Sequence, residues 1–199
     1  MDEKNKILND MDNIKDEKIE DLDIVDKMEL PMIPLRGLSV FPNMVLHFDI
    51  GREKSINALE KAMIMNQHIF LASQKDDNTD LPTPDDFYHI GTIGKIKQML
   101  RLPGDSIRVL VEGICRGEIE EISFDVPYFS CVVKKIEDES PEDDDAEAEA
   151  LMRTVLSSFD EYINVNQNLS PEVFAGVVTI EEPGRMADMI ASHLELKLE

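Results

Sequence analysis

A strong turn signal, Pro103-Gly104-Asp105, joins two β-patterned stretches, and this most constrains the fold. On its C-terminal side, residues 106–112 alternate, with Ile107, Val109 and Val111 on one face. On its N-terminal side, residues 88–102 read as a long β segment broken by Gly91 and Gly94. Glycines inside strands mark bulges or sharp bends. A hairpin of this kind needs further strands to bury its apolar face, so the chain is committed to a sheet.

The neighbouring sequence supplies those strands. Residues 44–50 alternate, with Leu46, Phe48 and Ile50 opposite His47 and Asp49. Residues 69–72, 113–124 and 128–136 read as three more strands. The segment Leu-Pro-Met-Ile-Pro-Leu at 30–35 is extended, and its two prolines predict an edge position or irregular pairing. Between these elements, residues 52–68 change period. Ile56, Leu59, Ala62 and Met63 recur at helical spacing among charged residues, which predicts one amphipathic helix with its stripe on the sheet. Each Leu or Ile of that stripe contributes roughly 1.5–3 kcal/mol when buried. Residues 76–86, acidic and Pro-bearing, read as a loop. Several bent strands and one helix predict a small rolled sheet or pseudo-barrel.

From Ser140 the period is helical. Ser140-Pro141-Glu142 and Ser170-Pro171-Glu172 both read as N-cap, first-turn proline and first-turn acid, and a third helix begins near Pro183. The predicted stripes are Leu151, Val155, Phe159, Tyr162 and Ile163, then Met186, Met189, Ile190 and Leu194. The expected organisation is therefore an acidic, disordered extension over 1–28 with a nascent helix around 14–22, a β-rich lobe over 29–138, and a helical lobe over 139–199.

Charge narrows the function. The chain has 199 residues and a formal net charge of −22, of which residues 1–27 carry −5 and residues 137–149 carry −9. The remaining body carries only −8. Phosphate backbones and anionic membranes need clustered Lys and Arg, so nucleic-acid and membrane-surface binding are disfavoured. No stretch approaches the ~18 apolar residues of a membrane helix, and the N-terminus lacks the pattern of a secretory or mitochondrial leader. With two cysteines, Cys115 and Cys131, there is no disulfide framework, and the chain reads as cytoplasmic. Both cysteines, and most of the 11 methionines, read as core packing.

Catalytic patterns are missing. There is no G-x-x-x-x-G-K-[ST], no G-x-G-x-x-G and no G-x-S-x-G, and His47, His68, His89 and His193 are scattered rather than at metal-ligand spacing. The acidic run lacks the glycine and spacing of a calcium loop. These residues point to a binding or assembly module without a metal or cofactor of its own.

Five collinear segments carry a family resemblance: LPMIPLRGLSVFPNMVLHFDIGREKS at 30–55, FLASQKDDNTDLP at 70–82, IGTIGKIKQMLRLPGDSIRVLVEGICRG at 90–117, FDEYINVNQNLSPEV at 159–173 and PGRMADMIASHLELKLE at 183–199. Together the chain after residue 28 resembles the N-terminal domain of bacterial Lon proteases. The resemblance implies an α+β fold, a PUA-like β-rich pseudo-barrel lobe with one amphipathic helix followed by a small α-helical lobe. It implies a non-catalytic part of an ATP-dependent Ser-Lys endopeptidase, serving substrate recognition and assembly in protein quality control. It further implies that ATP and Mg belong to modules beyond residue 199, and that the partners are unfolded or tagged proteins and sister subunits of a hexamer, with weak or no self-association of this part alone. Two other readings are a free-standing Lon-domain adaptor and, by fold analogy, an RNA binder that the −22 charge opposes. Unfolded clients offer apolar side chains and extended backbone, so the candidate contacts are Val40, Phe41 and Met44 after the first strand, and Met99, Leu100 and Leu102 at the hairpin tip. Arg52, Glu53 and Lys54 at the helix start, read as exposed, are the polar candidates.

Overall fold

The computed structural model describes residues 27–124, 126–137, 145–166 and 169–194. Among them are six strands, β1 (Lys27–Leu35), β2 (Val45–Ile50), β3 (His68–Ser73), β4 (Ile90–Arg101), β5 (Ile107–Phe124) and β6 (Phe129–Lys135), and one helix, α1 (Glu53–Ile64), set between β2 and β3. Three helices follow: α2 (Ala146–Val165), α3 (Pro171–Val178) and α4 (Pro183–Ala191). The expected extension and its nascent helix fall on residues 1–26, outside the described residues.

The sheet order is β2-β5-β4-β3-β1-β6, and β6 also pairs with β5. The pairings β5-β4-β3-β1-β6-β5 therefore form a closed ring, the pseudo-barrel, with β2 attached outside it as the edge strand. Ring closure depends on the length of β5. Its first part pairs with β2 through Glu112 and its last part pairs with β6 from Gly117 onward. Residues 107–124 are thus one strand and not the two expected over 106–112 and 113–124. Gly113 keeps the strand continuous where the backbone is crowded, because a Cβ there would collide with the carbonyl oxygen of Phe41. Register shifts at Ile93/Gly94 and Ile96/Gln98 bend β4 around the barrel.

β1 takes the irregular pairing that its prolines allow rather than an edge position. Despite its prolines it lies inside the sheet order, and Leu30–Leu35 are all buried. It tolerates them because it exchanges partners: residues 27–32 pair with β6, and residues 32–35 pair with β3. Pro31 and Pro34 each sit in a half with one strand neighbour, where a missing N–H need not interrupt a ladder.

α1 ends at Ile64, short of the expected His68. The N–H of Met65 bonds back to Lys61 and Ala62, and Gln67 takes a left-handed φ of 64°, which turns the chain into β3. Ser55, Ala58, Leu59 and Ala62 are its buried face, packed over β1, β3 and β6. The barrel core has two clusters. One gathers Leu59, Ile69, Ile96 and Val109 beneath the helix, and the other surrounds Phe70, Phe87 and Phe129. The Phe87 and Phe129 rings meet edge to face at 5.2 Å. At the hairpin turn, Gly104 and Asp105 take positive φ and the Leu102 N–H bonds to the Ser106 carbonyl, as the turn residues predict.

The helices form a third cluster around Phe159, Ile163, Val177, Met186 and Ile190. The expected cap at Ser140 lies outside the described residues; the observed N-cap of α2 is Asp145, whose carboxylate accepts from the N–H groups of Glu147 and Ala148. Leu151, expected inward, is exposed, and Met152 and Leu156 pack inward instead. Arg116 of β5 joins the two lobes through a bidentate ion pair with Asp188 of α4, one arm being 3.1 Å.

Candidate functional site

The Pro42-Asn43-Met44 corner fixes how β2 is presented. Asn43 adopts φ 61°, its N–H bonds to the Gly113 carbonyl at 2.8 Å, and the Gly113 N–H returns to the Met44 carbonyl at 2.8 Å. Two residues opposing one, the first left-handed, make a β-bulge. Asn is among the few residues with a side chain that tolerate this conformation. Beyond the bulge, Leu46, Phe48 and Ile50 turn toward the core while Val45, His47 and Asp49 are exposed. The Arg108 guanidinium holds Asp49 in a two-armed pair at 2.6 and 2.8 Å and lowers its carboxyl below the usual carboxylate range.

Three hollows lie around β2 and the lobe junction. The first, about 200 Å³, lies between Ile33–Leu35 of β1 and Phe48–Ile50 of β2. The second, about 590 Å³, is walled by Leu38, Phe41 and Met44 on the barrel and by Ala191 at the end of α4 and Leu194 beyond it. The third, about 260 Å³, runs between Met44, Val45 and Met189. Leu38 lines the first two and Met44 and Ser192 line the last two, so the three hollows adjoin along one side of the barrel and are together called the trough. Leu38, Phe41, Met44, Met189 and Leu194 give it an apolar side, and Gln74, Lys75, Asp76 and Asn78 a polar one. One rim is the loop before β4, where Asp77 accepts from the Gly37 N–H at 2.6 Å and Arg36 pairs with Asp80 at 2.8 Å. In the same loop, hydrogen bonds from Asn78 hold Asp76, and from Thr83 hold Asp86, below the ordinary carboxyl pKa.

Phe41 and Met44 thus come together in this trough, both half-buried. Val40 does not join them: it is 7% exposed and part of the core, its carbonyl accepting from the Thr92 hydroxyl. Arg52, read as exposed, is instead a half-buried strut. It donates to Gln74 Oε1 at 2.6 Å and to the Pro34 carbonyl at 2.7 Å, and burial lowers its guanidinium pKa. Glu53 is exposed, whereas Lys54 is half-buried with its ammonium 4.6 Å from the Phe129 ring centre. At the other end of the sheet, Met99 packs against the core and Leu102 is half-buried. Leu100 is 55% exposed and lines a separate hollow of about 230 Å³ with His47 and Arg108. Leu38 opens the 38–44 segment that the sequence offers as a candidate surface, whereas sequence reasoning missed the whole helical wall, since no periodicity links residues so far apart in the chain.

The Ser192 hydroxyl donates to the Met189 carbonyl at 2.8 Å, ending α4. Among the described residues no group of three or more His, Cys, Asp or Glu is placed to hold a metal, and no helix is long and apolar enough to cross a membrane. Burial pushes the Cys131 thiol far above its ordinary pKa, so it is an inert filler. Shape and apolar lining suit the trough to holding polypeptide.

The family model for the ATP-dependent protease La (LON) substrate-binding domain matches residues 29–199. The chain is 52% identical over 170 residues to the Lon protease of Desulforamulus reducens, covering 85% of this chain and 21% of that protein. It is 50% identical over 173 residues to Lon protease 1 of Bacillus subtilis, covering 87% and 22% respectively. The chain therefore spans about a fifth of the length of these relatives. The N-terminal domain of the Mycobacterium avium complex Lon protease shares the fold, with a TM-score of 0.52 at 18% identity over 84% of this chain and all of that one. The chain belongs to the Lon substrate-binding domain family.

Proposed function

We propose that this chain is the non-catalytic client-binding part of an ATP-dependent Lon-type protease and holds non-native protein segments in the trough beside β2. The observation carrying this reading is the family match over 29–199 together with a trough that has an apolar side and is walled by both lobes. ATP–Mg hydrolysis and Ser-Lys peptide cleavage belong, on this reading, to other modules of the same enzyme. Its assembly is a cytoplasmic hexamer, and its clients are misfolded or tagged proteins. Phe41 and Met44 are the apolar contacts inside the trough, while Leu100 and Leu102 at the hairpin tip, with Glu53 and Lys54 on α1, form outlying contacts.

The test is binding of one client in two states. A fluorescently labelled client, permanently unfolded by reduction and carboxymethylation, is titrated with the chain beside the same client in its native form. Preferential binding of the unfolded form is expected. Equal, negligible binding of both overturns direct recognition.

A further inference from the structure

β2 has a partner on one side only. It closes the sheet order, pairing with β5 and with no other strand among the described residues. The bulge at Asn43 sets which backbone groups are free. Met44 faces β5 through its carbonyl, so alternation turns Leu46, Phe48 and Ile50 toward β5 and leaves the N–H and C=O of Val45, His47 and Asp49 on the open edge. Natural edge strands are blunted by lysine, proline or bulges; Val45–Ile50 has neither lysine nor proline, and the bulge at Asn43 precedes it, so the strand's own edge groups stay open. Its one acid, Asp49, is already paired with Arg108. Across the gap, Ile33–Leu35 of β1 likewise has a single strand partner, β3. The first hollow separates these two one-sided strands.

We propose that the open edge of β2 takes an extended segment of client polypeptide as an added strand, with alternate apolar side chains of that segment lying in the trough. This rests on the client-binding reading above and deepens it: the recognised feature is extended backbone with a period-two apolar pattern. Backbone pairing supplies affinity without a fixed sequence, while Leu38, Phe41 and Met44 select apolar side chains. A second copy of this chain is the disfavoured occupant, because two bodies of net charge −22 repel. A client segment without acids meets no such repulsion.

The experiment uses the full chain and an eight-residue peptide of alternating Val and Thr with a Lys at each end. Its affinity is compared with that of two versions, one N-methylated at every Thr and one at every Val. Methylation removes an N–H and blocks pairing on one edge only. Loss of at least tenfold in affinity for one version, with the other binding like the parent, is expected; for antiparallel addition the sensitive version carries methyl groups on Thr. His47→Pro, which removes an open-edge N–H but none shared with β5, is expected to weaken the parent peptide at least tenfold. The peptide comparison stands even if that variant folds poorly. Equal binding of both methylated peptides overturns the added strand while unfolded-client binding survives. Concentration-dependent dimerisation abolished by His47→Pro overturns the choice of occupant. Failure of unfolded client and peptide alike overturns the client-binding reading itself.

Discussion

The ion pair between Arg116 and Asp188 links two segments 72 residues apart and sets one wall of the trough against the other. Asp188 is 6% exposed and both its oxygens face the Arg116 guanidinium. Removing one partner of a fully buried pair costs about 3–5 kcal/mol, chiefly because the survivor is stranded without water. Arg116 retains 31% side-chain exposure, so hydration recovers part of that penalty. Asp188→Ala is therefore expected to destabilise the chain by about 1–3 kcal/mol. Arg116→Ala and the double variant complete a cycle that cancels what each side chain does with its other neighbours. Urea denaturation at neutral pH, at constant slope, measures each stability. A coupling of about 1–2 kcal/mol is expected between contacting charges. Because the pair ties α4 to the barrel, the single variants are also expected to weaken unfolded-client binding. Single-variant effects that add to within about 0.5 kcal/mol refute the reasoning.

Three further outcomes follow from the geometry. His68 is 3% exposed with its Nδ1 unpartnered, and burial followed by the nearby Lys95 lowers its pKa. A depressed base stabilises the fold fully above the unfolded value of ~6.5 and loses that contribution as pH falls through the folded value. His68→Leu is expected to flatten stability below about pH 6.5 without loss at pH 8, and an unchanged acid slope in denaturation curves contradicts it. Gly113→Ala drives a methyl group into the Phe41 carbonyl oxygen; a loss of about 1–3 kcal/mol in thermal denaturation is expected, and wild-type stability argues against that close approach. Phe41→Ser and Met44→Ser, on half-buried side chains of the trough, are each expected to weaken unfolded-client binding about tenfold with little change in melting temperature. Unchanged affinity in an anisotropy titration removes those residues from the contact.

Local patterns revealed most elements of this fold. The turn at 103–105, the alternation of Ile107, Val109 and Val111, and the first-turn prolines that start α3 and α4 depend on neighbours a few residues away. The misread elements depend on distant ones. Pro31 and Pro34 read as edge or irregularly paired residues, and only the exchange of β6 for β3 at Met32 decides for irregular pairing. β5 read as two strands because Gly113 resembles an end, whereas its role is to admit the Phe41 backbone. Leu151 and Met152 differ by one position on a helix, and only the packing of α2 against α3 and α4 decides which is inward. The same division holds for the site. Phe41 and Met44 were legible as apolar residues in a proline-interrupted loop. Arg52 was misread, since its partners Gln74 and Pro34 lie 22 and 18 residues away. The trough itself is a tertiary product of Leu38, Met44 and Leu194, and β2's open edge is a property of sheet order.

The most direct test of the central claim, that clients are held in the trough beside β2, is site-specific photo-crosslinking. A photoreactive residue is placed in turn at Phe41, Met44 and His47, and as controls at Ile64 and Val165, which line none of the three hollows and are 81% and 79% exposed. Each chain is irradiated with the unfolded client and with its native form. Capture of the unfolded client from 41, 44 and 47, with little from 64 and 165, is the expected result. Capture from the controls with none from the trough contradicts it.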